Sequence, residues 1–106
     1  MKYFISLLML VNTSFVQSGG IGDFTILSIG GSNNTNTVYI ETIETIMNTT
    51  CSNKHIFRLP DSDKNADRFF SLSMAAQAQG KKITIGYEVD QCIEGSTLIR
   101  VFKLLT

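Results

Sequence analysis

KITIGYEVDQCIEGSTLIRVFKLL, Lys82 to Leu105, is the stretch that decides the fold. Ile83, Ile85, Tyr87 and Val89 alternate with other residues, the period-two pattern of a strand buried on one face. Asp90–Gly95 follows as a turn carrying Cys92, and Ser96–Leu105 reads as the last strand. Just upstream, Lys64–Gln79 holds good helix formers, with Gly80 at the position that ends a helix in the left-handed conformation. Lys81 and Lys82 suit the negative end of that helix. Asp61–Asn65 offers several capping side chains at its start.

Further upstream the signals are all of strand type. His55–Leu59 puts His55, Phe57 and Leu59 on one face and stops at Pro60, which cannot donate to a ladder. Val38–Met47 is rich in β-branched residues, but Ile40, Ile43 and Ile46 recur every three positions. A β-bulge near Glu41–Thr42 restores the register, with a short amphipathic helix as the competing reading. Gly30–Thr37 is a turn cluster, Asp23–Ile29 a first strand, and Gly19–Gly22 a flexible leader. The expected order is β-β-β-α-β-β. A mainly β fold with one helix follows, most simply a five-stranded OB-fold-like barrel, with an open α+β sheet as the alternative.

Asn65–Cys92 (NADRFFSLSMAAQAQGKKITIGYEVDQC), together with Cys51, resembles a family of small exported bacterial proteins. More distantly, the strand order, the helix placement and the paired cysteines look like the B subunits of subtilase-cytotoxin-like and pertussis-like toxins. Those B subunits are OB-folds that assemble as pentamers and bind glycans. The resemblance implies an OB-like fold, export, and a toxin-like, non-catalytic binding role. It carries no sugar site across, because the region around Asp23–Thr25 does not match.

The N-terminus points to export on its own. Lys2 is a short positive segment, Tyr3–Val11 an apolar run too short to span a bilayer, and Val16 and Ser18 suit a signal-peptidase site before Gly19. The expected organisation is a signal peptide over 1–18 and one domain over 19–106, secreted or periplasmic. No later apolar run approaches the length of a membrane span, so no stable membrane insertion is expected. In an exported chain the two cysteines, Cys51 and Cys92, read as a disulfide. Closing that loop of roughly forty residues is worth about 4 kcal/mol in the chain-entropy model.

Charge excludes one class of partner. Nine basic residues balance nine acidic ones, with no basic run beyond Lys81–Lys82, so nucleic acid is not an expected ligand. The helix has an apolar arc of about 200° through Phe69, Phe70, Leu72 and Met74, wider than one core contact needs. A homo-oligomer is the expectation this raises.

The remaining candidates are weighed by their chemistry. His55 is the only histidine and has no motif partner for acid–base work. Asp61-Ser62-Asp63-Lys64-Asn65 imitates a calcium loop, but Ala66 stands where the glycine belongs and Leu72 where the glutamate belongs. No metal or cofactor is expected, and Asp61, Asp63 and Asp67 read as capping acids. Glu41 and Glu44 read as edge charges. Asn33-Asn34-Thr35 and Asn48-Thr49-Thr50 are glycosylation sequons, relevant only in a eukaryotic pathway. No nucleophile-elbow, phosphate-loop or zinc motif appears, so no catalytic residue is expected. The expected ligand contacts are the amide-rich Gly30–Thr37 turn, with Asn33 and Asn34, and Tyr39 and Tyr87. The expected partner is a glycan, or a protein if the domain is an exported inhibitor or interaction domain.

Overall fold

Alternation along β5, Ile83–Ile93, sets the inside and outside of the whole molecule. Ile83, Ile85 and Tyr87 are all buried, as their spacing predicts. The computed structural model describes residues 19–104, so the expected signal peptide lies outside the described residues. Among the described residues, six strands and one helix follow in the order β1 (Gly19–Phe24), β2 (Ile26–Ser32), β3 (Thr37–Thr42), β4 (Ile56–Pro60), α1 (Ala66–Gln79), β5 and β6 (Ser96–Leu104). They form one six-stranded sheet in the order β1-β5-β6-β4-β3-β2, antiparallel except for the β4–β6 pair. The fold is mainly β with one helix. The sheet has two edge strands, β1 and β2, and is not the five-stranded closed barrel expected. Those edges are consecutive in the chain with only Thr25 between them, so the sheet curls until they meet at one corner.

The extra strand comes from the glycine-rich leader. Glycine has poor strand propensity, yet Gly19–Phe24 pairs with β5 residue by residue. The missing side chain is what lets it approach: a Cβ on Gly20 would sit 2.6 Å from the Tyr87 ring. The threefold repeat of isoleucines also resolves. β3 ends at Thr42, so Ile43 is exposed while Ile46 turns back into the core. The irregularity falls opposite Glu41–Thr42 but on the partner strand, where Leu27 is the extra residue between Ile26 and Ser28. β5 runs through Cys92 to Ile93, which shortens the expected turn to Glu94 and Gly95, both at positive φ.

The core fills the inside of the curl. Phe24, Phe57 and Tyr87 form a ring cluster, with centroids 4.9 Å apart for Phe24–Phe57 and 5.4 Å for Phe57–Tyr87. Ile40, Ile83 and Ile85 pack around it. Helix α1 lies against β2, β3 and β6 and buries Ala66, Phe69, Ser73 and Ala76, a narrow stripe at helical spacing. Phe69 meets the Phe102 ring edge-on at 5.2 Å. Met74, expected in the apolar arc, is exposed. Gly80 adopts φ 66°, and the Gly80 and Lys81 N–H groups donate to Gln77 and Ala76 oxygens, closing the helix as its sequence predicts. No helix among the described residues is long and apolar enough to cross a membrane.

Cys51 and Cys92 form the expected disulfide, with Cα atoms 5.6 Å apart and a sequence separation of 41. It joins the long β3–β4 loop to the end of β5. Hydrogen bonds reinforce the seam: Thr50 N–H donates to the Val89 oxygen at 2.7 Å, and Asn53 N–H to the Gly95 oxygen at 2.9 Å.

Candidate functional site

The β2–β3 turn and the entry to α1 meet at one end of the sheet. Asn36 takes φ 53°, which asparagine tolerates, and the turn folds back on itself. Thr35 N–H reaches the Ser32 hydroxyl at 3.4 Å, and the Thr35 and Thr37 hydroxyls are 2.8 Å apart. Asp61 N–H donates to the Asn36 oxygen at 2.9 Å, which ties this turn to the segment leading into the helix. There Asp63 shapes the entry: its carboxylate accepts from Asn65 N–H at 2.8 Å, and its carbonyl from Ala66 N–H at 3.0 Å.

Between these two segments lies a cleft of about 240 Å³. Ser32, Asn33 and Thr37 line one wall, and Asp61, Asp67 and Phe70 the other. It offers an amide, hydroxyls, two carboxylates and an aromatic surface within one concavity, the mixture that small-ligand sites use to combine orientation with burial. Asn33, Asp61 and Asp67 are exposed, Ser32 and Phe70 half-buried, and Thr37 buried. No lysine or arginine lines the cleft. Arg58 stands behind one wall. Its Nη1 donates to the Thr37 hydroxyl at 3.0 Å and its Nε to the Ser96 hydroxyl at 3.2 Å. Its guanidinium also lies 4.8 Å from the centroid of the Tyr39 ring.

The four residues expected to contact a ligand therefore separate. Asn33 lines the cleft. Asn34 is exposed at the tip of the same turn but is not part of the lining. Tyr39 is on the sheet surface, packed over Gly30, where a Cβ would come within 2.6 Å of the ring, and against Arg58. Tyr87 is a correction. It is 3% exposed, and its hydroxyl donates to the Met47 oxygen at 2.9 Å, so it belongs to the core and presents no surface to a ligand. Burial raises its phenol above the usual range.

The other chemistry-bearing residues lie apart. His55 is exposed, with Nδ1 3.1 Å from the Thr42 oxygen and no nucleophile bonded to it among the described residues. Glu41 accepts from the Ser28 hydroxyl at 3.0 Å. Glu44 accepts from both the N–H and the hydroxyl of Thr25, at 2.6 and 2.7 Å, and pairs with Lys82 at 3.5 Å. Burial alone would raise the Glu44 carboxyl, but these hydrogen bonds and the lysine outweigh it and hold it below the usual range. No group of three or more potential metal ligands occurs among the described residues.

Sequence reasoning missed Phe70 and read Asp61 and Asp67 only as capping acids. Asn65 is the N-cap residue, with no side-chain capping hydrogen bond. The one available signal was that Asp67 and Phe70 sit three apart and so share a helix face. No protein-family model matches the chain, and no curated protein is significantly similar to it.

Proposed function

We propose that this chain is an exported, non-catalytic binding module that takes a glycan in the cleft between the β2–β3 turn and the start of α1. The observation that carries the reading is the cleft itself, where Asn33, Ser32 and Thr37 meet Asp61, Asp67 and Phe70. Amide, hydroxyl and carboxylate groups hydrogen-bond sugar hydroxyls, and an aromatic surface suits the apolar face of a sugar ring. The finer fold reading, an OB-fold-like barrel, rests on the topology. If β1 and β2 are counted as one strand bent at Thr25, the remaining pairings run around a ring with the helix between its third and fourth strands. Export rests on the N-terminal pattern and the disulfide.

The test is a glycan array probed with the disulfide-intact protein, followed by calorimetric titration of any sugar retained. We expect Asn33→Ala to weaken that sugar about tenfold, roughly what a lost ligand hydrogen bond costs, and His55→Ala to leave it unchanged. An array with no retained sugar sinks the reading.

A protein-binding reading is favoured by a different feature. A groove of about 240 Å³ on the sheet surface is lined by Ile21, Thr84, Val101, Phe102 and Lys103. Ile21 and Val101 are 72% and 58% exposed, an unusual investment of apolar surface. The same face would serve a homo-oligomer, the toxin-B-like arrangement. Light scattering of the purified protein tests it: a multimer whose mass falls to the monomer in Ile21→Ser supports the interface, and a monomer at all concentrations removes it.

A further inference from the structure

We infer that the cleft is selective for a sugar bearing an amine, a cationic amino sugar, over its neutral N-acetylated or acidic counterparts. The inference rests on the glycan-binding reading above and adds the charge of the ligand. Both ionisable side chains lining the cleft are acids, Asp61 from the segment before the helix and Asp67 from its first turn. Neither carboxylate has a hydrogen bond or an ion pair among the described residues, whereas Glu44 and Glu88 are each matched to a cation. Arg58, which stands behind the wall, is engaged by Thr37, Ser96 and Tyr39, and Arg68, next to Asp67, donates to the Asn65 side chain at 3.3 Å. The concavity therefore carries two unmatched negative charges beside an aromatic residue, Phe70. A protonated amine gains from both carboxylates and from the aromatic face. A neutral sugar keeps only the hydrogen bonds. A carboxylated sugar meets like charge.

The volume bounds the ligand. About 240 Å³ admits one sugar ring, so selectivity acts on a terminal residue and a longer chain would extend into solvent.

The experiment is calorimetric titration of the disulfide-intact protein with chitotriose and with its fully N-acetylated form. It is run at slightly acidic pH and low salt, where the sugar amines are protonated. We expect the amine form to bind about tenfold more tightly, an ordinary yield for two partly exposed ion pairs. We expect that ratio to shrink with added salt as the charges are screened. In the variant carrying Asp61→Asn and Asp67→Asn together, the ratio of the two affinities should fall to near one, whatever each affinity has lost with the carboxylates. Neither carboxylate makes a hydrogen bond or an ion pair among the described residues, and Asp67 loses only its first-turn charge, so a retained native circular-dichroism spectrum is the control. Equal affinity for the two sugars, or tighter binding of the N-acetylated one, overturns the charge inference and leaves the cleft as a neutral-glycan site. If neither sugar binds although the array retained a different neutral glycan, the charge inference alone falls. If neither binds and the array is also blank, both readings fall.

Discussion

Glu44 shows how one side chain can hold a corner of the sheet. It follows β3 and reaches across to Thr25, the single residue between the two edge strands, taking both the N–H and the hydroxyl. Hydrogen bonds to a charged acceptor are worth more than neutral ones. Glu44→Gln should therefore destabilise the protein by about 1–2 kcal/mol near neutral pH, read from the urea midpoint. The pH dependence has a definite sign. The folded carboxyl titrates below its unfolded value, so its contribution is present above the unfolded value and is lost as pH falls through the folded one. The gap between wild type and variant should close on acidification, and a gap independent of pH would contradict this account. Ser73 predicts the opposite outcome. It is fully buried in α1, and its hydroxyl has no partner among the described residues. Alanine removes that unsatisfied group and is the better helix former, so Ser73→Ala should stabilise by about 0.5–1 kcal/mol in the same assay.

At the scale of elements, the central question is why glycines occupy β1. Gly20 faces Tyr87 across the β1–β5 pair, and its bare Cα is the seat for that ring. Gly20→Ala pushes a methyl group into a ring that also touches Phe57, so we expect a loss of about 1–3 kcal/mol, visible as a lower melting temperature. A neutral result would show that the ring can move aside without cost. The same contact explains why β1 was not legible in the sequence. Strand propensity is scored on side chains, and β1 is selected by the absence of one. The opposite holds for β5, where alternating Ile83, Ile85 and Tyr87 announce both the strand and its buried face. The helix was legible for a related reason: Gly80 marks its end through backbone conformation, a local cause. Of the cleft, only the wall from the Gly30–Thr37 turn was legible. Its other wall comes from a segment nearly thirty residues away, and only the Asp61–Asn36 hydrogen bond and the sheet topology bring the two together. Tyr87 was misread because aromatic residues serve cores and binding surfaces alike, and sequence does not say which.

For the molecule as a whole, the disulfide links two halves that the sheet order interleaves. The segment it closes contains β4, α1 and nearly all of β5, so an unfolded but oxidised chain keeps about half of the domain in one loop. In the chain-entropy model, a loop of 41 residues lowers the free energy of folding by about 4 kcal/mol through the unfolded state. The hydrogen bonds from Thr50 and Asn53 to the β5–β6 hairpin act in the folded state and survive when the sulfurs are separated. The two contributions can be told apart. Replacing Cys51 and Cys92 together with serine should leave the native circular-dichroism spectrum in place while lowering the stability in urea by about 3–4 kcal/mol. It should also raise the dependence on denaturant, because the unlinked chain exposes more surface when it unfolds. If the fold instead collapses to a state without native near-ultraviolet signal, the bridge also organises the folded core around the buried Cys51. If stability falls by less than about 1 kcal/mol, the seam of hydrogen bonds carries the closure and the chain-entropy account fails for this domain.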